Sequence, residues 1–205
     1  MTTTQEIRDA ASIILLRHRR KSPEILMGKR SGNAAFMPNK YVFPGGSLDP
    51  VDFELFFNSN HQIWNYEKLL IQTDKDLGQP LVNCALRELE EETGIRIKSN
   101  DLHNHTMGFI LRAITPQGMP RRFDTRFFLC KSNEMFASSQ FNNFCNASGE
   151  LSNLHWFALK EALHLDLAAI TRKVILYVNE IIDQSMELKR LPFYREGSFE
   201  ELTLI

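Results

Sequence analysis

At 205 residues, the chain has the length of a single domain with a hydrophobic core of ordinary size. Its 24 lysines and arginines balance 25 aspartates and glutamates, so the overall charge gives no reason to expect a nucleic-acid or membrane partner. The three cysteines are odd in number and lack metal-type spacing, which indicates free thiols in a reducing compartment. With no apolar leader and no run of membrane-spanning length, we expect a cytoplasmic protein.

The first predicted elements are two strands joined by a polar turn. Residues 11–16 form an apolar run typical of a buried strand, and residues 24–30 form a second, so the pair is expected to make a β-hairpin. A third strand-like segment, residues 41–43, runs into Pro44-Gly45-Gly46. Glycine adopts backbone angles that are closed to other residues, so this string predicts a sharp turn.

Residues 53–79 are too rich in apolar and aromatic side chains for a disordered linker. We expect one or two helices packed on the domain or on a partner chain, and a homodimer built on this segment is one such arrangement. A purely structural role and a role in substrate choice both stay open. Pro80 then stands where a helix is expected to begin.

The most informative stretch is Arg87-Glu88-Leu89-Glu90-Glu91-Glu92-Thr93-Gly94-Ile95. At about 3.6 residues per helical turn, Glu88, Glu91 and Glu92 stand on one face and repel one another. Three carboxylates held together make most sense if a divalent cation neutralises them, and oxygen ligands suit Mg²⁺ or Mn²⁺ better than zinc. The alternative is a solvated glutamate-rich helix. Gly94 can end the helix in a left-handed conformation.

Two further strands are predicted at residues 106–114 and 121–130, joined by a turn. In the second, Arg122, Asp124 and Arg126 share one face by the alternation of a strand. Two arginines on one face could clamp an anionic substrate, because a guanidinium pairs bidentately with phosphate oxygens. The alternative is the solvated face of a half-buried strand. His103 and His105 indicate a surface loop, since no third metal ligand lies nearby.

Glu150 stands at the exit of a polar loop that spans residues 142–149. A strand at residues 154–157 and a short helix from Leu159 are expected to follow. Residues 170–188 carry apolar side chains at helical spacing, which predicts an amphipathic helix packed on the sheet. Strands alternating with helices in this way are typical of an α/β fold.

The string at residues 87–95 resembles the second half of the Nudix box, whose pattern is Gly, five residues, Glu, seven residues, then Arg-Glu-apolar-x-Glu-Glu-x-Gly-apolar. Every specified position of that half is met. Phe43-Pro44-Gly45-Gly46 resembles the first half, and after five intervening residues Gly46 is followed by Asp52 in place of glutamate. The seven-residue spacer has become residues 53–86. The chain therefore resembles a Nudix hydrolase with an insertion inside its box.

This resemblance implies a Nudix-type α/β/α sandwich with a mixed β-sheet between helices. The chain would be one domain over residues 1–205, with a helical insertion at about 53–79 and a C-terminal helix at about 170–188. It also implies a metal-dependent diphosphatase acting on a nucleoside diphosphate-containing small molecule. Mg²⁺ or Mn²⁺ would bind the catalytic carboxylates of Glu88, Glu91 and Glu92. Arg87 would hold a box carboxylate, and Glu150, with Glu134 as the second choice, would add a ligand or base.

The same resemblance implies that Arg30, Gly45, Gly46, Arg122 and Arg126 contact the substrate. The insertion is similar to that of the acyl-coenzyme A diphosphatase-like branch of the family. Residues 26–31 match the start of that branch's coenzyme A motif, but Ala35 and Asn39 replace its second arginine and its glycine. Cleavage of ADP-ribose or NADH, and a nucleotide-sensing domain without catalysis, therefore stay open beside coenzyme A.

Overall fold

The computed structural model describes residues 6–19, 22–54, 63–97, 107–131, 139–183, 188, 191–196 and 198–202. His103, His105, Glu134 and residues 55–62 of the insertion lie outside these ranges. Within these ranges, no helix is long and apolar enough to cross a membrane.

The core of the molecule is built on the first two strands. β1 (Ile7–Arg19) and β2 (Ser22–Arg30) pair antiparallel with Leu16 opposite Ile25, which confirms the predicted hairpin. The apolar residues from Ile13 to Leu16 are fully buried. β1 extends beyond the apolar run at both ends, because its polar end residues find partners. Arg17, for example, donates to Glu24 at 2.9 Å and lies 4.1 Å from the ring centre of Trp156.

In the described part of the chain the sheet has ten strands. The others are β3 (Tyr41–Val42), β4 (Gly45–Ser47), β5 (Ile63–Trp64), β6 (Met107–Ile114), β7 (Arg122–Lys131), β8 (Leu151–Ala158), β9 (Leu191–Arg195) and β10 (Ser198–Leu202). The main order is β10-β9-β6-β7-β1-β2-β3, with β4 on β1, β5 on β6 and β8 on β2. Parallel pairing of β1 with β7 and of β6 with β9 beside antiparallel neighbours confirms the predicted mixed sheet.

Five helices accompany the sheet in the described ranges: α1 (Pro50–Glu54), α2 (Tyr66–Leu69), α3 (Gly78–Thr93), α4 (Leu159–Ala162) and α5 (Ala169–Ile181). α3 buries Leu81, Val82, Ala85 and Leu89, a set at helical spacing that faces the core. It ends as predicted at Gly94, whose φ of 73° is left-handed and whose N–H donates to the Glu90 carbonyl at 2.8 Å.

The insertion contains more than helices. The short helices α1 and α2 agree with the prediction, but Ile63 and Trp64 form the strand β5, which pairs parallel with β6. Trp64 lies opposite Gly108, where a side chain would overlap the indole ring. The insertion therefore adds a strand to the sheet as well as helical segments.

The C-terminal part of the chain differs from the prediction in two respects. α5 ends at Ile181, although the expected helix extended to residue 188, and Val174, Ile175 and Val178 face the core. The segment beyond it, which carries no clear sequence pattern, forms a hairpin of β9 and β10 at the edge of the sheet.

Candidate functional site

Arg87 organises the centre of the site. Its guanidinium donates bidentately to Asp52, with Nε to Oδ1 at 2.8 Å and Nη2 to Oδ2 at 3.0 Å. The remaining donors reach Glu88 at 2.9 Å, Glu91 at 3.1 Å and the Ser47 carbonyl at 3.3 Å. The predicted contact of Arg87 with Glu91 is present, but the fully buried carboxylate that it holds is that of Asp52. One arginine thus joins α1, α3 and β4.

The chain bends at Pro44, but Gly45 and Gly46 do not form the predicted sharp turn: they begin strand β4 and lie directly against two α3 carboxylates. The N–H of Gly45 donates to Glu92 Oε2 at 2.9 Å. A side chain at Gly46 would overlap the carboxylate of Glu88, so the close approach of backbone to carboxylate requires glycine there. These glycines are themselves fixed on β1, because Ser12 is the register partner of Gly45 and its hydroxyl donates to the Pro44 carbonyl at 3.0 Å.

Burial and mutual repulsion raise the pKa values of these carboxyls. Burial raises the pKa of Glu92 to about 8, although the hydrogen bond from Gly45 acts in the opposite direction. Burial also raises the pKa of Glu88, with Arg87 acting against it. Negative charge on Glu150 raises both pKa values further, so the three carboxylates interact through space.

The donor set suits a hard divalent cation. Glu88, Glu92 and Glu150 line one cavity and offer only carboxylate oxygens, the ligands that Mg²⁺ and Mn²⁺ prefer. A cation between them would remove the repulsion that contributes to the raised pKa values of Glu88 and Glu92. Across the described ranges, however, no three acidic, histidine or cysteine side chains already form a coordinating group. Glu91 is 55% exposed and pairs with Arg87, so the structure does not bring it to the cavity with Glu88 and Glu92.

The cavity has a volume of about 590 Å³ and lies over the sheet. Its floor includes a row of register partners that crosses five strands: Ser47 on β4, Ala10 on β1, Thr125 on β7, Ala113 on β6 and Tyr194 on β9. The first residues of α5 close one side. A volume of this order accommodates a ligand of drug or cofactor size.

Arg30 lies where the sequence predicts a substrate contact. It lines the cavity and its positive charge acts on Glu92, lowering that carboxyl's pKa against the effect of burial. Its Nε is buried and has no hydrogen-bond partner within the described structure.

Arg122 and Arg126 do not contact the cavity, and this corrects the prediction that they bind substrate. They share one face of β7 as predicted, but Phe123, Thr125 and Phe127 occupy the cavity face. Arg126 is 1% exposed and pairs with Asp9 and Asp124.

Arg122 also has a structural contact, because its Nε donates to the Thr115 carbonyl at 2.9 Å. On the same face Arg112 binds Asp124 bidentately, at 2.9 and 2.6 Å, and donates to the carbonyls of Ile71 and Gln72. These arginines therefore form a buried network that holds the end of the insertion on the sheet.

Several cavity residues carry no motif and were not predicted from the sequence. They are the aromatic residues Phe36, Phe123, Phe127 and Tyr194 and the basic residues Arg8, Arg121 and Lys173. The alternation of β7 would have indicated Phe123 and Phe127, had the aromatic face been assigned to the cavity. Arg8, Arg121 and Lys173 come from three separate elements, and only the fold brings them to one cavity.

Comparison with known sequences agrees with this geometry. The NUDIX domain pattern matches residues 6–178. Putative nudix hydrolase 7 of Caenorhabditis elegans is 30% identical over 190 residues, covering 78% of this chain and 54% of the relative. Acyl-coenzyme A diphosphatase NUDT19 of Xenopus laevis is 26% identical over 211 residues, covering 68% of this chain and 54% of the relative. The chain thus spans about half the length of these curated relatives.

Solved structures show the same fold. A NUDIX hydrolase from Alicyclobacillus acidocaldarius superposes with a TM-score of 0.64 at 22% identity, covering 90% of this chain and 99% of that one. The NUDIX domain of Shewanella oneidensis NrtR, crystallised with ADP ribose, superposes with a TM-score of 0.56 at 15% identity, covering 87% and 90%. At these identities the likeness concerns the fold alone.

Proposed function

Because the chain belongs to the NUDIX domain family, we propose that it is a metal-dependent hydrolase that cleaves the diphosphate bond of a nucleoside diphosphate linked to another moiety. The observation that carries this proposal is the meeting of Glu88 and Glu92 with the backbone of Gly45 and Gly46 in the cavity. One buried and one partly buried carboxylate against a glycine backbone, with the charge of Arg30 nearby, suit a cation and a phosphate group together.

Mg²⁺ or Mn²⁺, when bound by Glu88, Glu92 and Glu150, would neutralise charge on the diphosphate and lower the pKa of a coordinated water. The chain's own residues orient the group that reacts. Arg30 lines the cavity close enough to Glu92 for their charges to interact, and its guanidinium suits the oxygens of a phosphate group. Arg87 fixes the rotamer of Glu88, so the positioning of the carboxylates does not depend on the substrate.

Two substrate classes fit within this proposal. Coenzyme A or acyl-coenzyme A is favoured by similarity to a relative named as an acyl-coenzyme A diphosphatase. Ala35 and Asn39 depart from the coenzyme A motif, and this departure favours the alternative, a pyrophosphatase acting on ADP-ribose or NADH. The cavity of about 590 Å³ suits both classes by size.

A nucleotide sensor without catalysis is the second candidate function, since a NUDIX domain has been crystallised with ADP ribose inside the protein NrtR. A loss of helix carboxylates would favour the sensor, but Glu88, Glu91 and Glu92 are all present. We therefore place hydrolysis first.

The test is product analysis by mass spectrometry. The protein is incubated with Mg²⁺ or Mn²⁺ and, separately, with coenzyme A, acyl-coenzyme A, NADH, NADPH, ADP-ribose and dinucleoside polyphosphates. We expect scission within the diphosphate of at least one compound and a loss of turnover of about 100-fold or more in Glu92→Gln, a residue at the reacting centre. Full turnover by a folded Glu92→Gln protein would refute the metal-site assignment, and binding without cleavage would favour the sensor.

A further inference from the structure

The helix α5 begins at the wall of the cavity without a cap. Ala168 occupies the N-cap position, with φ of −68° and ψ of 153°, and no side chain accepts a hydrogen bond from the first turn. Alanine is one of the least favourable N-cap residues, because it has no side-chain oxygen to accept from the free N–H groups. The residues from Ala168 to Thr171 all line the cavity. The helix therefore lacks its usual cap at a place that a ligand can reach.

Three backbone donors of this first turn are free. The first hydrogen bond of the helix is donated by the N–H of Arg172 to the Ala168 carbonyl at 3.1 Å, so the N–H groups of Ala169, Ile170 and Thr171 come before it. Among the described residues, none of these three groups has a hydrogen-bond acceptor. The N–H groups of a first helical turn point along the axis, out of the N-terminus, and carry the positive end of the helix dipole. They therefore converge on one place.

The side chain of Thr171 adds a fourth donor in the same turn. Thr171 is the third residue of α5 and is only 5% exposed, yet it lines the cavity. Its hydroxyl has no hydrogen-bond partner in the ranges that the structure describes. Because polar groups buried in proteins are almost always hydrogen-bonded, we expect the partner of this hydroxyl to come from the cavity.

The segment that leads into α5 is fixed on the sheet. Leu167 is the bridge partner of Tyr41 on β3, and the N–H of Tyr41 donates to the Asp166 carbonyl at 3.0 Å. The carboxylate of Asp166, the acid nearest to the N-cap in the sequence, forms an ion pair with Lys40 and does not cap the helix. The free donors of α5 are therefore in position before a ligand binds, which lowers the entropic cost of binding.

We propose that the N-terminus of α5 is an oxyanion-binding subsite of the cavity, built from the N–H groups of residues 169–171 and the hydroxyl of Thr171. The inference rests on the proposed hydrolase function for its natural ligand, which is then a phosphate group of the substrate. Free N–H groups and the dipole of a helix N-terminus both favour negative charge. The subsite would offset part of the repulsion between an anionic substrate and the carboxylates of Glu88, Glu92 and Glu150, which line the same cavity.

Binding of inorganic phosphate to the metal-free protein tests the subsite without turnover. The melting temperature is recorded in the presence of a chelator over a phosphate titration, against sodium chloride at equal ionic strength. We expect phosphate to raise the melting temperature of the wild type. Ala168→Asp places a carboxylate on the free N–H groups, so it should raise the melting temperature in the absence of phosphate and weaken phosphate binding by at least about 10-fold.

Thr171→Val removes only the hydroxyl, because valine keeps the size and the β-branching of threonine. It should weaken phosphate binding about 10-fold, the loss expected for one hydrogen bond to a charged group. Asn179→Asp is the matched control, since it adds the same charge as Ala168→Asp at an exposed position of α5 outside the cavity, and it should leave phosphate binding unchanged. Unaltered phosphate binding in Ala168→Asp or in Thr171→Val, or no binding by the wild type, would overturn the subsite.

Turnover separates the subsite from the proposed hydrolase function. With any compound that the wild type cleaves, Thr171→Val should raise KM about 10-fold and change kcat little, because a contact made equally in the ground state and the transition state affects binding alone. Phosphate binding that depends on Thr171 would support the subsite even if no compound were cleaved. Cleavage with an unchanged KM in Thr171→Val would refute the subsite and leave the hydrolase proposal intact.

Discussion

Arg87 and Asp52 are 35 positions apart, and they form a bidentate ion pair in which the aspartate is fully buried. Hydrogen bonding to Asp52 is the main reason why the pKa of Arg87 lies above its ordinary value. The pair joins α1, at the start of the insertion, to α3, which carries the catalytic candidates. The two halves of the box are therefore held together by a side-chain contact and not by their spacing in the chain.

Removing one member of this pair should destabilise the protein strongly. Asp52→Ala leaves the Arg87 guanidinium without its principal partner in a buried position, at a cost of about 3–5 kcal/mol of unfolding free energy. Urea unfolding followed by circular dichroism measures this change. Arg96→Ala is the control, because Arg96 and Glu90 form an exposed pair that should contribute about 0–1 kcal/mol. Similar losses in both variants would contradict the structural role of Asp52.

Without metal, the protein should lose stability as the pH rises, and Glu92 should be a cause. The folded state raises the pKa of Glu92 from 4.5 to about 8. Between these two pH values the folded protein keeps a proton that the unfolded chain has released. Stability due to this group is complete below about pH 4.5 and is lost as the pH passes 8.

Melting temperatures between pH 4.5 and 9 in the presence of a chelator measure this effect. Glu92→Gln cannot titrate, so its melting temperature should fall less steeply over that range than that of the wild type. Parallel curves for the two proteins would show that Glu92 is not protonated in the folded state. Added Mg²⁺ should flatten the wild-type curve by favouring the ionised carboxylates.

Gly46→Ala should impair turnover more than folding. The new methyl group would overlap the carboxylate of Glu88, the mobile end of a side chain that can move aside, but in moving it leaves the position held by Arg87. We expect kcat to fall by about 100-fold, since misplacing a reacting group by about 1 Å has effects of this size. Gly118→Ala is the control: its φ of 83° makes the change destabilising, but no atom lies within 4 Å of the new methyl group. If Gly46→Ala kept full kcat, Glu88 would not need its observed position.

Substitutions in the buried arginine network should affect stability and not substrate affinity. Asp124→Asn removes the charge that Arg112 and Arg126 share, leaving the buried Arg112 without its carboxylate partner and the buried Arg126 with Asp9 alone. Unfolding free energy should fall by several kcal/mol, roughly 3–5. Arg122→Ala, a milder change on the same face, should leave KM for every cleaved substrate unchanged. A selective rise of KM in Arg122→Ala would restore the substrate role that the sequence predicted.

Local patterns predicted most of the fold. The β1–β2 hairpin, the course of α3 and its end at Gly94 follow from apolar periodicity and from the backbone freedom of glycine, both of which act within a few residues. The hairpin of β9 and β10 was missed because its strands are short and four residues of β10 are exposed, so no alternation of apolar and polar residues marks them. Strand β5 was missed for a similar reason, because two residues are too few to show an alternation of apolar and polar side chains.

Site residues that belong to a sequence motif could be predicted. Residues whose position depends on which face of a strand lines the cavity could not. Glu88, Glu92 and Gly45 meet as expected. The alternation of β7 correctly divided its residues into two faces, but it could not tell which face the cavity occupies, and Arg126 lies on the other one. Glu91 shares a helical face with its neighbours in projection, yet its side chain is 55% exposed and pairs with Arg87.

The insertion is fixed to the domain at both ends, by Asp52 on Arg87 and by the carbonyls of Ile71 and Gln72 on Arg112. A motif search that requires a spacer of seven residues would pass over this protein, although Asp52 and Arg87 meet in the folded chain. Residues that are far apart in the sequence, such as Asp52 and Arg87, therefore lie side by side in the site.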